Sequence, residues 1–211
     1  MGVKERRARE KSETRDKILD AARDLFISEG YEGVSMRKVA EKIEYSPTAI
    51  YVHFADKKDL FHQLCQDDFA KLAEAFQSPS MPVNPIERLN FIGQTYVDFG
   101  MKYPNHYKLM FMTPHPPAEL DDVDCEIKGN PEVDAYAFLK LCVEQAIAAG
   151  YFREEFTDSE LLSQTMWAAI HGVIALEIGK GNDAWVDWRP MRERTNVMLD
   201  AIMRGLLRER K

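Results

Sequence analysis

At 211 residues, 45% hydrophobic and 30% charged, the chain carries enough apolar material for a substantial core, as one helical domain or a small domain on a larger one. Its net charge of −7 is unevenly spread, +1 over residues 1–60 and −8 over residues 61–211, so the acid excess lies away from the N-terminal part. No apolar run approaches the ~20 residues of a membrane span, the N-terminus lacks the apolar centre of a secretory signal, and Cys65, Cys125 and Cys142 have neither metal-ligand spacing nor even pairing. The expectation is a cytoplasmic protein with no membrane partner, no metal and no cofactor.

The first stretch, MGVKERRAREKS, reads as a basic arm over residues 1–13. It is either a mobile element that reaches a minor groove and neighbouring phosphates, or a solvated, frayed terminus. From about Thr14, the residues Ile18, Ala22, Leu25 and Phe26 mark an amphipathic helix closed by Gly30. The stretch SMRKVAEKIEYSPTAIYVHF, residues 35–54, then contains two helix starts in quick succession. Ser35 suits an N-cap with Val34 and Val39 as its hydrophobic staple; Ser46 repeats the device, with Pro47 at the first helical position and Tyr45 and Ile50 as the staple. Two short helices joined by a tight turn form a helix-turn-helix. On a wheel of 100° per residue the second helix places Ala49, Ile50, His53 and Phe54 on one side and Pro47, Thr48, Tyr51 and Val52 on the other. The second set is uncharged and mixes hydroxyls with apolar groups, which suits base edges and thymine methyls in a major groove.

Asp56 caps the next helix, which carries Leu60, Phe61, Leu64, Phe69, Leu72 and Phe76. Lys57 and Lys58 sit in its first turn, where cations oppose the helix dipole and a nearby phosphate would relieve the conflict. The segment SPSMPVNP reads as a linker and domain boundary in packing terms. Pro85 then starts a helix through Ile86, Leu89, Ile92, Tyr96 and Phe99, and Pro104 divides it from a short helix through YKLMF. Residues 113–130 form a proline-rich acidic loop with room for some helix in its middle, and Asn130 and Pro131 start a helix that Gly150 ends. Thr157 with Glu160 reads as a capping box opening an apolar helix to about Gly179, and a last helix runs from about Met191 to Arg208. The fold class is therefore all-α, about nine helices, with a three-helix head on a larger helical body. The helix over 161–178 is apolar nearly all round, so one neighbouring layer cannot cover it. Pairing of the last two helices with their symmetry mates would make a homodimer able to read two half-sites.

Residues 14–61, TRDKILDAARDLFISEGYEGVSMRKVAEKIEYSPTAIYVHFADKKDLF, resemble the head of the tetracycline-repressor-like (TetR) family of transcription regulators. The A-x-x-L-F and G-Y elements carry the likeness, followed by S-M-R-x-V-A, S-P-T-A-I-Y-x-H-F and K-x-x-L. The segment WAAIHG, residues 167–172, resembles the Trp…His-Gly element of one C-terminal subgroup. The resemblance implies a homodimeric regulator, usually a repressor, that binds a palindromic double-stranded DNA operator and is released when a small molecule enters the body. It implies residues 14–61 as the DNA-binding domain and 62–211 as the ligand-binding and dimerisation domain. DNA contacts carried over are Ser35, Arg37, Ser46, Pro47, Thr48, Tyr51 and Val52, with His53 and Lys57 toward phosphates. The sequence departs from the family at Glu44, where the turn often has glycine; a non-glycine residue with positive φ is strained there.

For an effector of unknown identity, the body offers Phe99, Tyr103, Tyr107, Phe111, Phe138, Trp167 and His171, an apolar set in which Tyr107 or His171 could supply polar contacts. For any one of them, ordinary core is the commoner role. His106, His115 and His171 share no spacing with acidic partners that suggests a metal site, and there is neither a phosphate-binding glycine loop nor a serine nucleophile elbow, so no catalytic residue is assigned. The competing class is a helical small-molecule carrier or adaptor that does not bind DNA.

Overall fold

The computed structural model describes residues 2–116 and 127–209. Cys125 and the middle of the acidic loop, with the helix expected there, lie outside the described residues. Among those described there is no strand; the elements are α1 (Val3–Gly33), α2 (Met36–Lys42), α3 (Pro47–Tyr51), α4 (Lys57–Phe76), α5 (Pro85–Lys102), α6 (Pro104–Met112), α7 (Ala135–Ala148), α8 (Ser159–Lys180) and α9 (Met191–Leu206). An isolated antiparallel bridge joins Phe152 to Leu207.

The N-terminal residues correct the sequence reading: residues 3–13 are not a mobile arm but the first turns of α1. The causes are local. The Glu5 carboxylate accepts from the Gly2 N–H at 2.8 Å, and Arg6–Glu10 (3.1 Å) and Arg9–Glu13 (3.4 Å) are ion pairs at i,i+4 with no glycine or proline between them. Near its far end α1 breaks at Gly30, at φ 70°, a conformation that costs glycine little.

The chain divides into two compact units, Met1–Asp68 with Asn105–Val123, and Phe69–Pro104 with Asp124–Lys211. The division thus falls within α4, not at the proline-rich segment 78–85, and α6 belongs with the first unit. The reason is burial: Leu109 of α6 is fully buried in the same cluster as Ile18, Ala22 and Phe26 of α1, Val39 of α2, Ile50 of α3 and Leu64 of α4. Beside this core the Arg23 guanidinium makes a two-pronged pair with Asp68, at 2.8 and 3.0 Å, both side chains being buried, and a third bond to Asp20 at 2.6 Å. Burial works against the charge on Arg23, but the Asp68 and Asp20 carboxylates outweigh it and hold its pKa above the ordinary value. Cys65 packs against this core, and burial pushes its thiol up to about 12, which leaves it unreactive.

In the second unit α5 packs against α7, α8 and α9, and α8 against α7 and α9. Gly93 permits the approach: a Cβ there would lie 2.9 Å from Leu199 of α9 and 3.3 Å from Ile170 of α8. Two helix starts differ from the sequence reading. Helix α7 begins at Ala135 rather than at Asn130–Pro131, because Asp134 caps it, accepting from the N–H groups of Tyr136 (2.9 Å) and Ala137 (3.1 Å), while the Asn130 side chain turns back to the Glu132 N–H. Helix α8 is capped by Asp158, which accepts from Leu161 N–H at 3.0 Å, so Thr157 and Glu160 do not form a capping box. The expectation that no stretch approaches a membrane span is also corrected. At 22 residues, with a window of mean hydropathy 1.3, α8 is long and apolar enough to cross a membrane by length and composition. Yet only one face of it is buried in the second unit, through Leu162, Ser163, Ile170 and Ile174, and Leu161 and Leu176 of the remainder are exposed.

Candidate nucleic-acid interface

The helix-turn-helix is assembled by its caps. Ser35 Oγ accepts from the Lys38 N–H at 3.2 Å, and Ser46 Oγ from the Ala49 N–H at 3.3 Å, with Pro47 at the first helical position of α3. Lys38 in turn donates to the Gly33 carbonyl (2.8 Å) and the Glu29 carboxylate, tying the start of α2 to the end of α1. Between α2 and α3 the chain forms a Schellman turn: Tyr45 N–H bonds to the Ala40 carbonyl at 3.0 Å and Glu44 N–H to that of Glu41 at 3.2 Å. The residue that must be left-handed is Glu44, at φ 60°, and it is the one non-glycine with positive φ among the described residues.

The same turn ends α7, where Tyr151 N–H bonds to Ala146 (3.1 Å) and Gly150 N–H to Ile147 (2.9 Å), with Gly150 at φ 71°. The two turns serve as mutual controls. A left-handed L-residue costs about 1–2 kcal/mol, against about 0.5–1 kcal/mol of extra chain entropy for glycine. Glu44→Gly is therefore expected to leave stability unchanged or raise it by up to about 1 kcal/mol, whereas Gly150→Ala, where a Cβ meets nothing within 4 Å, should lower it by about 1 kcal/mol. Denaturant titration of the two variants checks the signs; a marked loss of stability in Glu44→Gly would contradict the strain.

The faces of α3 follow the wheel. Ile50 and Phe54 are buried and His53 is half-buried, whereas Pro47, Thr48, Tyr51 and Val52 are exposed, Tyr51 at 54% and Val52 at 66%. Exposed apolar side chains next to a threonine hydroxyl form a face without charge. Ser35 and Ser46 are exposed as caps, and the exposed Arg37 pairs with Glu41 at 2.8 Å, a surface ion pair of the kind that is readily exchanged for a phosphate. Lys57 is placed differently from its expected role toward phosphate. Its ammonium donates to the Tyr31 carbonyl at 3.1 Å and lies 4.2 Å from the Tyr31 ring centroid, closing the end of α1. The pKa of His53 is lowered by burial first and then by the charges of Lys11 and Arg15, so the imidazole is neutral at pH 7. That brings into view a residue the sequence reading missed: Lys11, seven residues before the first buried position of α1, whose charge is felt at His53.

The seven residues expected to contact an effector do not fall in one unit. Tyr107 and Phe111 belong to the first, with ring centroids 5.0 Å apart, and Tyr107 is fully buried. Phe99, Tyr103, Phe138, Trp167 and His171 belong to the second. There Phe99 packs on Tyr103 at 5.4 Å, Phe138 on Phe76 at 6.2 Å, and Trp167 on Tyr136 at 5.8 Å, with Trp167 Nε1 donating to the Tyr96 hydroxyl at 2.9 Å. His171 is half-buried, and burial lowers its pKa. A hub the sequence reading did not assign is Glu160, whose carboxylate accepts from Tyr136 (2.6 Å), Lys140 (3.0 Å) and Gln164 (3.0 Å). These donors hold its pKa down to about 2, while burial and the Glu160 carboxylate push the Tyr136 phenol up to about 12. A groove of about 240 Å³ lies between α5 and α9, lined by Ile86, Asn90, Gln94, Asn196, Leu199 and Met203 among others, and none of the seven lines it. No group of three or more His, Cys, Asp or Glu among the described residues could hold a metal ion.

Residues 18–64 match the bacterial regulatory proteins of the tetR family, and residues 89–202, more than half of the chain, match the tetracyclin repressor-like C-terminal domain. The chain belongs to the TetR family. It is 43% identical over 65 residues to the HTH-type transcriptional repressor AcnR of Corynebacterium diphtheriae, a match covering 31% of this chain and 34% of that protein. It is 30% identical over 138 residues to the HTH-type transcriptional regulator AcrR of Shigella flexneri, covering 64% of this chain and 60% of that protein. The matches thus span less than two thirds of either relative. A TetR family transcription regulator from Marinobacter aquaeolei has the same fold, with a TM-score of 0.73 at 18% identity over 97% of this chain and 100% of that one. The TetR match to the head begins at residue 18, so the first turns of α1 lie outside it.

Proposed function

We propose that this TetR-family chain is a sequence-specific DNA-binding transcriptional regulator of the cytoplasm, acting as a repressor on a palindromic operator. Residues 14–61 bind DNA and residues 62–211 bind the ligand and the second copy. The observation that carries the reading is the α3 face, on which Thr48, Tyr51 and Val52 stand exposed without a charge among them. A solvated helix gains nothing from exposing Tyr and Val, whereas a major groove supplies both hydrogen-bonding edges and methyl groups. Ser35, Arg37, Ser46 and Pro47 flank that face, and His53 stands at its edge. The homodimer forms through α8 and α9. Leu161, Leu176 and Val197 are each at least 49% exposed, and a second copy would cover them as a membrane would not, since α8 and α9 also carry Glu160, Glu177 and Arg192.

The effector is a small apolar molecule bound by the second unit, with Phe99, Tyr103, Phe138, Trp167 and His171 as its proposed contacts; Tyr107 and Phe111, which belong to the first unit, are left to the core. It favours a head spacing that does not fit the operator and releases the protein through that difference in affinity. No residue is given a catalytic role.

The test is selection of genomic DNA by the purified protein at ~150 mM salt, followed by footprinting. Recovery of a short palindrome supports the regulator. If no sequence is selected, with bound ligand removed or with candidate ligands added, the DNA reading falls and the carrier replaces it.

A further inference from the structure

We propose that residues 3–13 of α1 are a second DNA-contacting element, a rigid helix that lays Lys4, Arg7 and Lys11 along the phosphate backbone beside the site met by α3. The inference rests on the DNA-binding reading above and extends it to a segment that the TetR head match does not include.

The charges of this helix are sorted by face. At 100° per residue, Lys4, Arg7, Lys11 and Arg15 lie within about 80° of one another, and the four acids Glu5, Glu10, Glu13 and Asp16 all lie on the opposite side. Arg6 and Arg9 fall among those acids and pair with Glu10 and Glu13. Those pairs hold the helix and leave the other face purely cationic. Arg15 anchors the stripe: it bonds to Asp67 at 2.7 Å and Gln63 at 3.2 Å, and its guanidinium lies 5.7 Å from the Phe54 ring centroid. Lys11 lies one turn before it, and its charge acts on His53 at the end of α3. Lys4 and Arg7 continue the line outward, and all three are exposed and have no acidic partner among the described residues.

Like charges three and four residues apart repel, so this face is unfavourable in the free protein. A polyanion along it reverses the sign. From Lys4 to Lys11 the helix rises about 10 Å, a length over which duplex DNA presents several charges at one per ~1.7 Å. The stripe starts at Arg15, over the Phe54 ring just past the end of α3, which brings one duplex within reach of both elements.

The experiment compares full-length wild type, the triple variant Lys4→Gln/Arg7→Gln/Lys11→Gln and the double variant Arg6→Gln/Arg9→Gln. Each is titrated with a genomic duplex selected by the wild type and with a random duplex of equal length. Glutamine keeps helix propensity, so the segment stays folded. With both heads on the duplex six cations are removed, so the triple variant should show a log K against log salt slope shallower by about 5, about 2–3 per head, and its affinity deficit should shrink about 1,000-fold between roughly 50 and 200 mM salt, with the preference for the selected duplex unchanged. The double variant, on the paired face, should change the slope by less than about 1. A wild-type slope in the triple variant overturns the proposal, as does an equal change in the double variant. A wild type that selects no duplex overturns the DNA reading beneath it as well, and is recognised before either variant is compared.

Discussion

Tyr51→Ala is expected to cost about 1–3 kcal/mol of operator binding in each half-site, roughly 5- to 150-fold per head, while leaving the protein folded. The ring is 54% exposed on α3 and contributes little to the core, which at this helix is made by Ile50 and Phe54. Its hydroxyl and its apolar edge are together the largest group on the uncharged face. In a dimer both half-sites lose it, so retention at ~150 mM salt should disappear even where weak nonspecific binding persists. The measurement is fluorescence anisotropy on a selected palindrome beside a random duplex, with a thermal melt on the same samples. A variant that keeps its preference for the palindrome would remove α3 as the reading element. Equal losses on both duplexes would make Tyr51 a phosphate contact instead.

The largest effect on stability is expected from Asp68→Ala. Asp68 and Arg23 are both buried and joined by two hydrogen bonds, so removing the carboxylate leaves a guanidinium out of water with Asp20 as its remaining partner. Breaking one side of such a pair costs about 3–5 kcal/mol, which for a chain of this size lowers Tm by roughly 6–20 °C. The double variant Arg23→Met/Asp68→Leu should recover much of that loss, because it leaves no unpaired charge. By contrast Arg6→Gln, which breaks an exposed i,i+4 pair, should stay within about 0.5 kcal/mol. Chemical denaturation of the four proteins decides it; a loss below about 1 kcal/mol in Asp68→Ala would show that water or Asp20 satisfies Arg23.

These two residues were unequally legible. Tyr51 stood out because the wheel of a short helix is a local property, and its caps at Ser46 and Pro47 fix where the wheel starts. Asp68 occupies a slot four residues from both Leu64 and Leu72, inside the apolar stripe of α4, but nothing in the sequence reading singled it out; its burial is a finding of the structure. Its partner was out of reach, being 45 residues away on another helix. The conformation of residues 3–13 is legible in the i,i+4 pairs Arg6–Glu10 and Arg9–Glu13, whereas basic composition alone suggests a frayed terminus. The starts of α7 and α8 were displaced by a few residues because several capping side chains compete there, and only one can meet the free N–H groups once the chain direction is set.

The sequence by itself determined the helices, the two caps of the helix-turn-helix, the left-handed turn at Glu44 and the uncharged face of α3. All of these follow from interactions within four or five residues, which any surrounding structure preserves. Tertiary structure decided what the long side chains do. It joined Lys57 to the Tyr31 carbonyl and Glu160 to Tyr136 and Lys140, placed Leu109 of α6 in the first unit, and paired Arg23 with Asp68. A flexible cation or carboxylate has many partners within reach of its stem, and which one it meets depends on helices that the chain brings together only when the core closes.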